Sequence, residues 1–410
     1  MLAALRSRAA AASARGSFGA VAAGAIAFVV MLVSSHLRST HQNNYVRVAY
    51  AWLHGHMWID WPGRWMDAVQ YNGHYYGVDG PVPALFMVPL VAIWGNAANQ
   101  TLVALAFAAV ATGLAWMLAE RFGVDDLATK VYLILFFVAG TDVWWCAMLG
   151  DVWFLAHLCA LAFMLGALVE LRGKARGWIV ALCAVLAAGA RFPEIVAFPM
   201  LAWGLWTGAF AERPPSPAER IARLRSAAIV VVCFGIAFVG YDELMWGTIL
   251  DIGHTVYYHA DAWGSPTGSP FQLSYVPYQI YSFFFRAPVL VEWLQHVQWP
   301  YVKPDTTGIA LTFTSPALVL TFLAKTPQNV VRALWITTFL VAIPEFTYYL
   351  NGWVQFGMRH ALDFLPYLFA LMCIGVRERL PRWGIALIIY SALVGAWGVW
   401  YWNNFVRTGT

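Results

Sequence analysis

PVPALFMVPLVAIW, Pro81 to Trp94, decides how this chain is drawn through a membrane. The run is as apolar as a crossing segment, yet it carries Pro81, Pro83 and Pro89. Proline suits a helix start or a broken helix better than an unbroken span. We therefore read it as a re-entrant or interfacial helix. Around it, 61% of the 410 residues are hydrophobic and 11% are charged, whereas soluble domains carry about 25% charged residues. Such a composition defines an integral membrane protein.

A crossing takes about 20 apolar residues, and fewer inside a bundle. Working outward from Pro81, that rule predicts helices near 17–35, 97–119, 129–141, 152–171, 177–190, 195–210, 226–246, 307–324, 328–350, 362–376 and 383–402. The expected fold is an all-α polytopic membrane protein of about 11 spans, one transmembrane domain over 1–410. Two long outer segments interrupt it, at 36–96 and 247–306. With the N-terminus inside, the inner segments take most of the 25 Lys and Arg residues, and most acids fall outside. Counting Pro81 to Trp94 as a crossing would flip every later loop and destroy that bias, which normally sets orientation. All 10 histidines then lie on the outer side. The working surface is expected there.

The N-terminal MLAALRSRAAAASARG is basic and acid-free and runs into an apolar segment, as in an uncleaved signal anchor. The formal charge of +4 gives no ground for a nucleic-acid partner. The five cysteines sit in apolar runs without CxxC or metal spacing, so they read as packing residues. No HExxH, Walker loop, GxSxG or dinucleotide fingerprint is present.

Three constellations could carry chemistry. The first is the stretch from Met57 to Gly95, with the segment Asn44 to His54 leading into it. NYVRVAYAWLH places Tyr45, Val48, Ala49 and Trp52 on one face of an interfacial helix. Asp60, Asp67 and Asp79 follow among Trp, Tyr and His. A surface carboxylate can act as general base toward a hydroxyl, or can be an ordinary solvated acid. The second is Arg359, His360 and Asp363 in FGMRHALDFLPY, at the outer start of a span. Charges at that depth are costly and rarely idle. The planar fork of arginine matches two phosphate oxygens; the bland alternative is an Arg359–Asp363 ion pair. The third comprises Asp142, Asp151, His157, Arg191 and Glu194, of which the last two could pair with each other. Acids from different loops could also recruit a divalent cation.

NNYVRVAYAWLHGHMWID, DAVQYNGHYYGVDGPVPALFMVPLVAIWG and FGMRHALDFLPYLFAL together resemble bacterial membrane glycosyltransferases of the GT-C superfamily, the protein mannosyltransferase-like and aminoarabinose transferase-like enzymes. The resemblance spans nearly the whole chain, with loose motifs. It implies a polyprenyl-phosphate sugar donor among membrane lipids, an outer-face glycan, lipid or protein acceptor, and transfer with inversion. It implies a bacterial inner membrane, a cytoplasmic N-terminus and an extracytoplasmic site. Relatives carry an Asp soon after the first helix, where this chain reads SSHLRSTHQNN. The expected base is then Asp60 or Asp67. Arg359, with Arg191 or Arg64, would hold the donor phosphate. Tyr75, Tyr76, Asp79, Asp151, His157, His360 and Asp363 would line the substrates. The competing classes are a lipid or polyisoprenoid flippase and an inactive glycolipid-binding scaffold.

Overall fold

The computed structural model describes residues 2–406 apart from 61–62, 64–65, 212, 252, 254–256, 258–268 and 294–295. The chain is mostly helical. In order it forms α1 (Leu2–Ser35), α2 (Asn44–Leu53), strands β1 (Ala68–Tyr71) and β2 (His74–Gly77), α3 (Val82–Trp94), α4 (Gln100–Arg121), α5 (Leu127–Ala139), α6 (Val143–Leu149), α7 (Val152–Arg172), α8 (Gly177–Ala190), a 3-10 segment Phe192–Ala197, α9 (Phe198–Thr207) and α10 (Pro217–Trp246). The remainder is α11 (Val276–Phe284), β3 (Val289–Trp293), β4 (His296–Lys303), the short α12 (Leu311–Thr314), a 3-10 segment Pro316–Leu323, α13 (Gln328–Thr347), α14 (Ala361–Val376) and α15 (Arg382–Tyr401).

Among the described residues, six helices are long and apolar enough to cross a membrane: α1 from Phe18, α4, α7, α10, α13 and α15 with its short continuation to Val406. The α5–α6 pair, bent by 47°, makes up to seven. α8 and α14 are apolar but shorter, as is Val82–Ala97. The expected single helices 195–210 and 307–324 are not continuous. Pro193 and Pro199 split the first into a 3-10 segment and α9, and the Ser315–Pro316 step divides the second. Proline lacks the N–H that a helix interior needs. α10 starts nine residues earlier than its apolar run, because Ser216 and Glu219 form a reciprocal capping box over the basic turn that follows.

Two hairpins also depart from an all-α fold. In β1–β2, Asn72 and Gly73 both have positive φ, 48° and 82°. That is the backbone of a two-residue turn matching strand twist, and it pairs Val69 with Tyr76. β3 and β4 form the second pair. Both hairpins lie in the long connecting segments and leave the helical bundle intact.

The bundle is organised on α7, 83% of whose apolar window is buried. α7 packs on α4 and α8, and α4 packs on α1. The α1–α4 crossing is tight: a Cβ at Gly24 would come within 2.8 Å of the Ala109 carbonyl oxygen. α10 is the opposite case, since none of its apolar window is buried. It rests on α8 and α9, and its last turn packs Met245 and Trp246 against Val69 and Tyr76 of the hairpin. Of the cysteines, Cys146, Cys159 and Cys373 are buried, Cys233 is exposed, and all five are free thiols.

Candidate functional site

The first turn of α7 carries Trp153 and Phe154, with His157 one turn further on, so Trp153 and His157 share a face. Around this turn the fold gathers residues from almost every part of the chain, in two layers.

The upper layer joins Asp67 to Arg359 across one indole. Trp153 Nε1–H donates to Asp67 Oδ2 at 2.5 Å, and the Tyr257 hydroxyl donates to Asp67 Oδ1 at 2.9 Å. On the same ring, the Arg359 guanidinium stands 5.4 Å from the Trp153 centroid, and it is 5.5 Å from that of Phe154. Asp67 is close enough for its charge to act on Arg359. Asn44 of α2 fixes the approach of the loop, donating to the Asp67 carbonyl at 2.9 Å and to Asp79 Oδ2 at 3.1 Å.

Arg359 is 6% exposed, and among the described residues no carboxylate lies within ion-pair distance of it. Its Nη1 donates to Gln355 Oε1 at 2.9 Å, while its buried Nε has no partner. Removing a cation from water costs several kcal/mol after relaxation. Two ring faces return about 0.5–2 kcal/mol each, and a hydrogen bond to a charged group about 1.5–3 kcal/mol. None of these partners carries a negative charge, so the guanidinium can still accept an anion. Gln355 is itself held, donating to the Thr307 carbonyl at 3.0 Å and the Asn351 carbonyl at 2.7 Å. Thr307 in turn is clasped by Asp305, which accepts from its amide at 2.9 Å and its hydroxyl at 2.6 Å, and by Arg286. Partial burial pushes the Asp305 carboxyl up, but these hydrogen bonds and the Arg286 charge bring it below the usual carboxylate range.

The lower layer is a buried ion cluster. Arg191 donates to Asp363 at 2.6 Å and to Glu345 at 3.1 Å. Asp363 also meets His157 Nδ1 at 2.6 Å, and Glu345 meets His360 Nδ1 at 2.5 Å. Tyr367 donates to Glu194 at 3.1 Å. This settles two alternatives left open by the sequence: Asp363 pairs with Arg191 and not Arg359, and Arg191 does not pair with Glu194.

Several expected contacts are differently placed. Arg191, expected at a donor phosphate, is committed to two carboxylates. His157, His360 and Asp363, expected to line substrate, are buried and bonded to one another's partners. Tyr76 points into the core, its ring 5.1 Å from that of Trp246, because strand residues alternate faces. Tyr75 lies on the other face and is partly exposed. Asp151 accepts from the Thr40 hydroxyl. Asp60 is exposed, and among the described residues no hydrogen bond or ion pair ties it to the cluster. Arg64 falls outside the described residues. Among the described residues no three His, Cys, Asp or Glu side chains are grouped so as to hold a metal ion.

Trp153, Gln355, Glu345 and Tyr257 received no role from the sequence. Glu345 could have been found as an acid inside an apolar span, and Trp153 as the i−4 neighbour of His157. Beside this cluster, between α14 and the 311–318 segment, runs a narrow crevice of only about 10 Å³. Leu311, Leu318, Leu362 and Leu365 line it, and Thr141, Asp142 and Ser315 are its polar members. In comparisons with known proteins, no family profile, curated protein or solved structure matches the chain.

Proposed function

We propose that the protein is a membrane glycosyltransferase of the GT-C type, moving a sugar from a polyprenyl-phosphate donor to a hydroxyl of an outer-face glycan, lipid or protein, with inversion. One observation carries the reading: a buried arginine without a carboxylate partner and an aspartate held by two donors share the Trp153 ring. Charge develops on the donor phosphate as the glycosidic bond breaks, so a fixed guanidinium there favours the transition state over the ground state. Asp67 takes the acceptor proton from the opposite side of the anomeric carbon, as inversion requires.

The drawing that goes with this reading has eleven passes in a bacterial inner membrane. They are the six long helices, the bent α5–α6 pair, α8, the 3-10 segment with α9, residues 311–323 and α14, with α2, α3 and both hairpins on the extracytoplasmic face. The bias of Lys and Arg toward the opposite loops supports that orientation.

The test uses purified full-length protein in detergent with a short-chain polyprenyl-phosphate sugar. The expected outcome is transfer of the sugar to water or an added hydroxyl with release of polyprenyl phosphate, lowered about 100-fold or more by Asp67→Asn and by Arg359→Gln. Intact donor retained on the protein identifies a glycolipid-binding scaffold instead, and donor movement only in sealed vesicles identifies a flippase. Full turnover by Asp67→Asn removes the assigned base.

A further inference from the structure

At the end of α14 remote from Arg359 the chain turns through Arg377, Glu378, Arg379, Leu380 and Pro381 into α15. The 16 residues of α14 set this turn roughly 24 Å from the site above, at about 1.5 Å of rise per residue. Here lies a shallow cavity of about 480 Å³, lined by Leu323, Arg379, Pro381, Arg382 and Trp383. Arg379 and Arg382 are exposed, and neither has an ion-pair partner among the described residues. Arg377 donates to Thr326 Oγ1 at 3.0 Å, and exposed Lys325 follows two residues after Leu323. Glu378 is the one acid in the turn.

Two guanidiniums three residues apart match the oxygens of a phosphate, which planar forks bind better than point charges do. The remaining wall is apolar: Leu323, Pro381 and the indole of Trp383, 47% exposed. Exposed tryptophan is characteristic of the headgroup level of a bilayer. The apolar surface continues away from the cavity through Phe322, 70% exposed and stacked on Trp335, and on to Phe339. A free phosphate would make no use of that strip.

We propose that this cavity binds the phosphate headgroup of an anionic phospholipid, its acyl chain running along Leu323, Trp383 and Phe322. The site is independent of the sugar-transfer reading, since it uses no residue of the Asp67–Arg359 cluster.

The experiment measures lipid retention by native mass spectrometry of the full-length chain, with phosphatidylglycerol and phosphatidylcholine as probes. Phosphatidylglycerol is expected to bind at least about tenfold more tightly than phosphatidylcholine, at roughly fivefold per juxtamembrane cation. Arg379→Gln with Arg382→Gln should weaken phosphatidylglycerol about 25-fold on the same scale and leave phosphatidylcholine unchanged. Arg379→Lys with Arg382→Lys should keep most of the binding. Equal retention of the two lipids by the native chain overturns the proposal, and that comparison holds even if the glutamine variant fails to fold. Unchanged binding by a folded glutamine variant overturns it too. So does displacement of phosphatidylglycerol by millimolar inorganic phosphate, which would mark a site for a soluble anion.

Discussion

Trp153→Phe is the most discriminating substitution at the site, because it separates two functions of one side chain. Phenylalanine keeps an aromatic face under Arg359 but cannot donate to Asp67 Oδ2, while the Tyr257 hydroxyl still donates to Oδ1. A hydrogen bond to a charged group contributes about 1.5–3 kcal/mol, and tenfold in rate corresponds to about 1.4 kcal/mol. The expected loss in kcat/KM is therefore about 10- to 150-fold. Trp153→Ala also withdraws the ring from Arg359, for a further loss of about 0.5–2 kcal/mol. The assay is release of polyprenyl phosphate from a short-chain donor, read beside the melting temperature of each variant. Because Trp153 acts through Asp67, Trp153→Phe should add nothing to Asp67→Asn: the double variant matches the single one. Independent, multiplying losses would refute the argument that the indole positions the base. So would a Trp153→Phe enzyme with full turnover.

Three further outcomes follow from the same geometry. Arg359→Gln should lower kcat/KM by about 100- to 1,000-fold, the scale of losing one electrostatic donor to developing charge, while Arg359→Lys recovers only part; full activity of Arg359→Lys would remove the argument for a planar fork. Asp363→Asn leaves Arg191 and His157 without their shared carboxylate and should cost about 3–5 kcal/mol of stability, visible as a lower melting temperature; an unchanged transition would mean the cluster contributes nothing to the fold. Asp305, held below the usual carboxylate range, stabilises its loop at pH values above about 3.9 and loses that contribution as pH falls through its folded value. Asp305→Asn should then mimic acid at neutral pH, raising protease sensitivity around Thr307 and lowering activity through Gln355; indifference of both readouts would disconnect this clasp from Arg359.

The long elements were legible because lipid demands them. Unbroken apolar runs marked α1, α4, α7, α13 and α15 to within a few residues, apart from the basic N-terminal extension of α1, and the spacing of NYVRVAYAWLH marked α2. The prolines of Pro81–Trp94 argued for a re-entrant or interfacial helix, and the segment forms a helix of 13 residues, Val82–Trp94. The β1–β2 hairpin was missed although Asn72–Gly73 between Tyr-rich flanks is a strong turn signal; the surrounding aromatics suggested an interface instead. At the site, residue type pointed to Asp67 and Arg359, but partner choice did not follow from spacing. Arg359 and Asp363 are one turn apart, yet Asp363 meets Arg191 and His157 from other helices. Those contacts depend on how α7, α8, α13 and α14 are apposed, which no local pattern encodes.

α10 has a mechanical consequence. Of its 30 residues, the apolar stretch 226–246 extends roughly 32 Å, matching a hydrocarbon slab of about 30 Å, and the basic first turns reach beyond it. None of its apolar window is buried, so it stands at the rim of the bundle. Its tip grips the β1–β2 hairpin through Trp246, and Asp67 immediately precedes that hairpin. One aromatic residue thus couples the rim of the bundle to the loop that presents Asp67, so a displacement of either end is passed to the other.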